Sequence, residues 1–445
     1  MDLTEKLNKK EARIGIIGLG YVGLPLAADF ANAGFFVLGI DKDAQKIEML
    51  EKGENYIDDV DDRKLKKVIE NGKLVPTTEY DRVGELDALF ICVPTPFNRN
   101  KEPDVSYIID ATNGIKPNLR KGQVIVLKST TFPETTEKVV QPLLEETGLK
   151  AGKDFYLAFS PERIDPGRRD FNTENTPIVL GGVTPQCTEM ARAVIGQVTK
   201  NIHVVSSPKA AEMTKLLENI FRSVNIALVN ELATLCDRMG NIDMWEVIDA
   251  AATKPFGFMP FYPGPGIGGH CILVDPYYLS WKAREYDFHT NFIELAAETN
   301  ESMPYYVYGL IVHALSEHGV PLTNAKVLLL GAAFKKNVND IRNSPALKLF
   351  EILEKKGMNH VMYNDSYVPE LTLNGKTHRS LTLTPDLLGL VDCVVIATDH
   401  TDYDYDFIVK HAKLVIDTRN ATKHVKNGRE KIVRLGSGRV LGDGR

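Results

Sequence analysis

The amino-acid sequence predicts an α/β protein in which two α/β domains, one at each end of the chain, are joined by a long helical central region. Three observations carry this reading. Strand and helix patterns alternate before about residue 205, they alternate again after about residue 319, and no strand candidate interrupts the helical periodicity between Pro208 and Ala252. Short apolar runs alternating with amphipathic segments build a mainly parallel sheet covered on both faces. The expected domains are therefore 1–205, 206–318 and 319–445, each long enough to bury a core of its own.

Taken in order, Arg13 to Gly18 is an apolar run ending in glycine, followed by a helix-compatible stretch from Tyr21 to Gly34. Further strands are expected at Phe35–Ile40, Ala88–Val93, Gln123–Leu127, Phe155–Phe159 and Pro177–Leu180, most of them separated by charged, helix-compatible segments. Leu216, Leu217, Ile220, Val224, Ala227 and Leu228 then fall at helical spacings, and the Pro- and Gly-rich segment 255–269 ends this stretch. Helical spacing resumes at Phe292, Leu295 and Ala296, with Pro304 expected to begin or kink a helix running past Val312. Lys326–Leu330 reads as a strand closed by Gly331, Ser344–Gly357 as a helix, and His360–Tyr363, Cys393–Ala397 and Leu414–Asp417 as strands. The Asp402, Asp404, Asp406 run reads as a solvated loop, and no internal repeat is found at solenoid periods.

Of the 445 residues 43% are hydrophobic and 25% charged, with a net charge of −6, an ordinary globular composition. A net negative chain lacks the bulk positive field of nucleic-acid and anionic-membrane binders, so neither is expected as a partner. The five cysteines are far apart, with no CxxC pair to hold zinc, so no metal is expected and a reducing compartment fits. The first 13 residues are polar and charged, and no run approaches the roughly 18 apolar residues that span a bilayer. The expected location is cytoplasmic.

Gly18, Gly20 and Gly23 form GxGxxG directly after a strand and at the mouth of a helix, where backbone N–H groups can reach a pyrophosphate. Asp41, at the end of the next strand, can accept from adenosine ribose hydroxyls, and a carboxylate there repels a 2′-phosphate. NAD is therefore favoured over NADP, although Lys42 and Lys46 stand nearby in sequence. In the segment GPGIGGHC, Cys271 follows glycines that would let a bulky ligand approach the backbone. The local sequence leaves nucleophile and core cysteine open, and His270, being adjacent, is a poor partner for a direct dyad. Glu212, Lys215 and Asn219 lie at i, i+3 and i+7, on one helix face. A solvated face with a Glu–Lys pair, or a buried lysine that stabilises an oxyanion and moves a proton, fits equally.

With GxGxxG, Ser160-Pro161-Glu162-Arg163, the Glu212, Lys215, Asn219 helix, GPGIGGHC, Asp275-Pro276 and Phe334-Lys335 in hand, the chain resembles the UDP-glucose/GDP-mannose dehydrogenase family from about Arg13 to about Asn420. The Ser-Pro-Glu-Arg and Gly-Gly-His-Cys wording is most similar to its UDP-N-acetylhexosamine branch, with UDP-N-acetylglucosamine the first candidate substrate. The resemblance implies two Rossmann-like domains and a four-electron oxidation of the sugar C6 alcohol to a carboxylate. Two NAD are used per turnover, through an aldehyde, a thiohemiacetal and a thioester. Cys271 matches the nucleophile. Lys215 and Asn219 would stabilise the oxyanion, and Asp275 would handle water and protons. Thr130 would lie near the reacting sugar and nicotinamide, and Glu162 would do acid and base work in hydrolysis.

By the same resemblance the cofactor contacts are Gly18, Gly20, Tyr21, Val22, Gly23, Asp41, Lys46, Thr95, Thr130 and Arg342. The substrate contacts are Glu162, Arg163, Lys215, Asn219, Tyr262, Gly268, Phe334, Lys335 and Arg419, with Lys335 on phosphate and Arg419 on the nucleotide. The helical middle would build a homodimer. Two departures stand out: Pro166 where UDP-glucose members carry a second Glu, and Leu273 where many acetylhexosamine members carry Pro. The competing readings are a UDP-glucose or UDP-N-acetylmannosamine dehydrogenase, a two-electron hydroxyacid or sugar-phosphate dehydrogenase, and a nucleotide-binding regulatory protein. The two-electron reading leaves GPGIGGHC and the second α/β domain unexplained, and the regulatory one fits poorly with the presence of both Cys271 and Lys215.

Overall fold

The structure, a computed structural model, describes residues 2–57, 60–98, 101–163, 175–269 and 271–438, with the Cys271 side chain outside the description. The chain forms two compact units, Met1–Glu218 with Tyr277–Phe288, and Asn219–Pro276 with His289–Arg445.

The first unit opens with α1 (Leu3–Asn8), then β1 (Arg13–Ile17), α2 (Gly23–Asn32), β2 (Phe36–Ile40), α3 (Ala44–Glu51), α4 (Asp62–Glu70) and β3 (Leu74–Thr77). It continues with β4 (Ala88–Ile91), α5 (Ser106–Ile115), β5 (Val124–Leu127), α6 (Gln141–Glu145), β6 (Tyr156–Phe159), β7 (Ile178–Gly182), α7 (Pro185–Ile195) and β8 (Ile202–Val204). The strands form one sheet in the order β3-β2-β1-β4-β5-β6-β7-β8. All neighbours are parallel except β6 and β7. Strand order reverses between β1 and β4, the position at which such sheets open a crevice for ligands. Both faces are covered, so β4 and β5 are apolar at every position and fully buried. On one face Phe30 of α2 packs on Phe90 of β4 with ring centroids 5.3 Å apart.

Next come α8 (Pro208–Met239), α9 (Met244–Ala252), α10 (Cys271–Ala283) and α11 (Asn291–Glu317). The expected single helical stretch from Pro208 to Ala252 is thus two helices. Gly240 and Asn241, at φ of +76° and +58°, break it, and Asp243 caps the second helix by accepting from Trp245 N–H. Pro304 lies inside α11, which runs through it without a break.

The second α/β region has β9 (Lys326–Leu330), α12 (Pro345–Lys355), β10 (His360–Asn364), β11 (Glu370–Leu373), β12 (Lys376–Arg379) and α13 (Pro385–Leu390). It ends with β13 (Cys393–Ile396), α14 (Tyr405–His411), β14 (Val415–Asp417) and β15 (Ile432–Arg434). Five strands form a parallel sheet in the order β10-β9-β13-β14-β15, while β11 and β12 make a separate hairpin. α11 and α12 cover one face through Val307, Leu310, Leu349 and Phe350, and α13 and α14 cover the other through Leu388, Ile408 and Val409. The Asp402–Asp406 run is not simply a solvated loop: Asp404 caps α14 by accepting from Phe407 N–H, and Asp406 sits in its first turn, where acids complement the helix dipole. Among the described residues no helix is long and apolar enough to cross a membrane.

Candidate active site

The three glycines after β1 do three different jobs. Gly18 turns the chain at φ +89°, and a Cβ there would lie 2.5 Å from the Cys92 carbonyl oxygen. A Cβ on Gly23 would lie 1.7 Å from the Gly18 carbonyl oxygen, so the start of α2 can close on the turn only without one. Gly20 has nothing within 4 Å of its Cβ position, so that side of the turn is open to a ligand. Asp41 follows β2, accepts from the Leu19 and Asp43 N–H groups at 2.8 and 3.0 Å, and has Lys46 Nζ 3.6 Å away. The sequence motif and its acidic partner are thereby tied to one another. Tyr21 is 41% exposed, and Val22 is half-buried at the N-cap of α2. Thr95 is buried, and its carbonyl accepts from Tyr278 OH. This open, N–H-lined turn with a carboxylate at the next strand end fits a dinucleotide.

Thr130 is half-buried just after β5. Glu162 lies just beyond β6, with its carboxylate 3.4 Å from the buried Lys128 ammonium, and accepts from Arg163 N–H at 2.8 Å. The Arg163 guanidinium is committed to protein groups, at 2.6 Å from Glu218 on α8 and 2.6 Å from the Pro177 carbonyl.

On α8 the predicted face is buried, not solvated, and it contains no Glu212–Lys215 pair. Glu212 accepts from Glu134 N–H at 2.6 Å, from Thr136 N–H at 2.9 Å and from the Thr136 hydroxyl at 2.7 Å. It therefore caps the helical segment that begins at Thr136. Burial pushes the Glu212 carboxyl up to about 7, against the opposing effect of these hydrogen bonds. Lys215, one turn along, is 8% exposed and has no hydrogen-bond or ion-pair partner among the described residues. A buried cation without a protein counter-ion is suited to a negatively charged ligand atom.

Glu134, which the sequence did not single out, has a left-handed backbone at φ +84°. Its carboxylate lies within 3.0 Å of Lys138, Lys209 and Lys282 and accepts from Tyr286 OH at 2.8 Å. Hydrogen bonds from Lys138 and Lys209 lead in holding it far below the usual carboxylate range.

In the second unit Asn219 donates to Asp275 Oδ2 at 2.5 Å, and both residues are buried. Asp275 stands one helical turn after residue 271, which opens α10. The nucleophile candidate Cys271, with His270 and Pro166, lies outside the described residues, Cys271 as to its side chain.

In the glycine-rich segment before it, the chain's own side chains pack closely against two of the glycines. A Cβ on Gly264 would meet Arg419 Nη1 at 2.6 Å, and one on Gly268 would meet Phe334 at 2.6 Å. Asn230 accepts from Gly264 N–H at 2.9 Å and donates to Asn300 at 3.0 Å, and the Arg342 carbonyl accepts from Gly269 N–H at 2.9 Å. Arg419 is anchored by donating from Nε to the Ala397 carbonyl at 2.9 Å, and Lys335 is half-buried beside Phe334. The Arg342 side chain pairs with Asp340 at 2.7 Å. Tyr262 stacks on Trp245 and donates to Asp249 at 2.7 Å.

The first unit's sheet and glycine turn define a dinucleotide-binding protein, and a second parallel-sheet domain sets it apart from those with one such domain. Family models match in three consecutive parts: the NAD binding domain of the UDP-glucose/GDP-mannose dehydrogenase family over residues 12–199, its central domain over 209–302 and its UDP binding domain over 328–424. The chain belongs to that family of NAD-dependent nucleotide-sugar dehydrogenases. It is 37% identical to the UDP-N-acetyl-D-mannosamine dehydrogenase of Pyrococcus horikoshii, over 92% of this chain and 96% of that one. It is 35% identical to the UDP-N-acetyl-D-glucosamine 6-dehydrogenase of Pseudomonas aeruginosa, over 88% and 92%. The solved structure of the Pyrococcus horikoshii enzyme superposes with a TM-score of 0.87 at 35% identity, covering 96% of this chain and all of that one.

Proposed function

We infer that the protein oxidises the C6 alcohol of a UDP-N-acetylhexosamine to the uronic acid. The substrate loses four electrons as two hydrides, water supplies the second carboxylate oxygen, and two NADH and three protons are released with the product. Bound NAD supplies the hydride acceptor for both oxidations. Gly18, Gly20 and Gly23 would hold its pyrophosphate and Asp41 its ribose. Lys215 is the observation that carries the reading: a buried ammonium with no partner among the described residues is suited to the alkoxide and oxyanion that form at C6. Asn219, whose amide is fixed by Asp275, would share that charge. Cys271 would add to the aldehyde to give a thiohemiacetal able to lose the second hydride. Glu162 and Asp275 would take and return protons as water cleaves the resulting thioester, and Thr130 would orient the reacting alcohol.

Lys335 would bind the diphosphate and Arg419 the nucleotide, within the UDP-binding region 319–445. Regions 1–205 and 206–318 would serve as cofactor domain and dimerising centre. Phe221, Leu228, Leu235 and Met239 are exposed on α8 at spacings of seven, seven and four residues, an apolar stripe that suits a second copy of the chain. With no spanning helix among the described residues, the cytoplasm remains the expected compartment.

UDP-N-acetylglucosamine is the first candidate substrate, on the Ser-Pro-Glu-Arg and Gly-Gly-His-Cys wording. UDP-N-acetylmannosamine is the second, on the 37% identity to a relative named for it. Measuring kcat/KM with UDP-N-acetylglucosamine, its manno and galacto epimers and UDP-glucose tests the proposal. A preference of about tenfold or more for one acetylhexosamine is expected, and a preference for UDP-glucose would refute it.

A further inference from the structure

The two parallel-sheet domains repeat one local device with opposite outcomes. In the first, Gly18 turns at φ +89°, its N–H bonds to the Ile40 carbonyl at 2.7 Å, and the next residue's N–H bonds to Asp41 at the end of β2. In the second, Gly331 turns at φ +90°, its N–H bonds to the Asn364 carbonyl at 2.9 Å, and the Ala332 and Ala333 N–H groups bond to Asp365 at the end of β10, at 2.7 and 2.9 Å. The Asp41 side chain keeps 10% of its surface exposed, whereas that of Asp365 keeps none. Asp365 Oδ1 also accepts from the Tyr367 and Val368 N–H groups, and its Oδ2 is met at 3.0 Å by Nε2 of the fully buried His400. An imidazole thus stands where a ribose hydroxyl would meet the corresponding carboxylate of the first domain.

The other ring nitrogen fixes the roles. His400 Nδ1 lies 2.9 Å from Asn337 N–H and must accept, so Nε2 carries the hydrogen and donates to Asp365. Tyr367 stacks on the ring with centroids 4.9 Å apart, and Tyr403 packs on it in a T-shaped contact at 5.6 Å. One bonded pair therefore grips both ends of a short loop, Asp365 holding Ala332 and Ala333 and His400 holding Asn337. Between these grips lie Phe334, packed against Gly268 and Gly269, and Lys335.

We propose that His400 is a positioning residue for the nucleotide-sugar diphosphate. With Asp365 it closes the second domain's ribose-type acceptor and uses it to lock the Phe334–Lys336 loop, so that Lys335 meets the diphosphate at a fixed place. This rests on the reading of Lys335 as a phosphate ligand. The test is steady-state kinetics of the full-length His400→Phe, Lys335→Ala and doubly substituted enzymes, with thermal melts alongside. H400F is expected to raise KM for the UDP-sugar about tenfold, leaving KM for NAD and kcat within about threefold, and K335A to do the same. The double variant should be no worse than the poorer single one, since both act on one contact. A UDP-sugar KM within about twofold of wild type in H400F, while K335A raises it, overturns the inference and leaves the Lys335 reading intact. An unchanged KM in K335A refutes that reading and the inference with it. Should H400F not fold, His400→Asn and His400→Gln, which each spare one of the two bonds, are expected to raise the UDP-sugar KM about fivefold, and a wild-type KM in both would equally overturn it.

Discussion

Asn219 donates its side-chain amide to Asp275 at 2.5 Å, and each residue is less than a tenth exposed. The bond fixes the orientation of the Asn219 amide and keeps a carboxylate one turn from the start of α10. Asn219→Asp would set two carboxylates against each other in a buried place, where each disfavours the other's charge and the pKa of one is raised. A loss of about a hundredfold or more in kcat near neutral pH is expected, partly regained as pH falls and the pair shares a proton. A pH–rate profile checks this, and a wild-type profile would show that the pair has no part in the chemistry.

The glycine turn makes a prediction that separates folding from binding. Gly23→Ala forces a Cβ into the Gly18 carbonyl and should cost more than about 2 kcal/mol of stability or prevent folding. Gly20→Ala meets no protein atom, so its melting temperature should match wild type while KM for NAD rises about tenfold or more. Thermal melts and cofactor titrations of the two variants provide the check, and equal effects on stability would contradict the assignment.

Glu212 links stability to pH with an unusual sign. Its carboxyl is raised in the folded state to about 7 from 4.5, so its contribution is full below about 4.5, declines between 4.5 and 7, and changes no further above that. The stability advantage of wild type over Glu212→Gln should shrink as pH rises from 5 to 7, measured by urea midpoints. An advantage that grows over this range would refute the burial argument.

Glu134 has the opposite sign. Its pKa is depressed by Lys138, Lys209 and Lys282, so its contribution is present above the ordinary carboxylate range and lost as acid protonates it. Its left-handed backbone costs about 1–3 kcal/mol, which Glu134→Gly would relieve. The same change removes the carboxylate that three lysines share, although Lys282 keeps Glu285 at 2.6 Å and Lys138 and Lys209 reach solvent. A net destabilisation of about 1–2 kcal/mol at neutral pH, smaller at high salt, is expected from denaturant unfolding. A stabilised glycine variant would mean that strain outweighs the ion pairs.

Both sheets were legible because each strand buried on two faces leaves an apolar run, and the dinucleotide turn because Gly23 must close on the Gly18 carbonyl five residues before it. β3 and β8 escaped because Leu74–Thr77 and Ile202–Val204 are short and only partly buried. The β11–β12 hairpin had a signal that went unread, Asn374-Gly375, whose two positive φ values suit a tight turn. Glu212, Lys215 and Asn219 could be placed on one face of α8 from their spacing, but not as buried. That depends on Glu134 and Thr136, far away in sequence, meeting Glu212. The Asp365–His400 pair was invisible for the same reason, since 35 residues separate its members.

The number of NADH formed per UDP-sugar consumed bears most directly on the proposed four-electron oxidation. The account predicts two NADH for each UDP-N-acetylhexosamine, with turnover abolished in Cys271→Ala. One NADH per sugar, or two that persist in the Cys271→Ala enzyme, would contradict it.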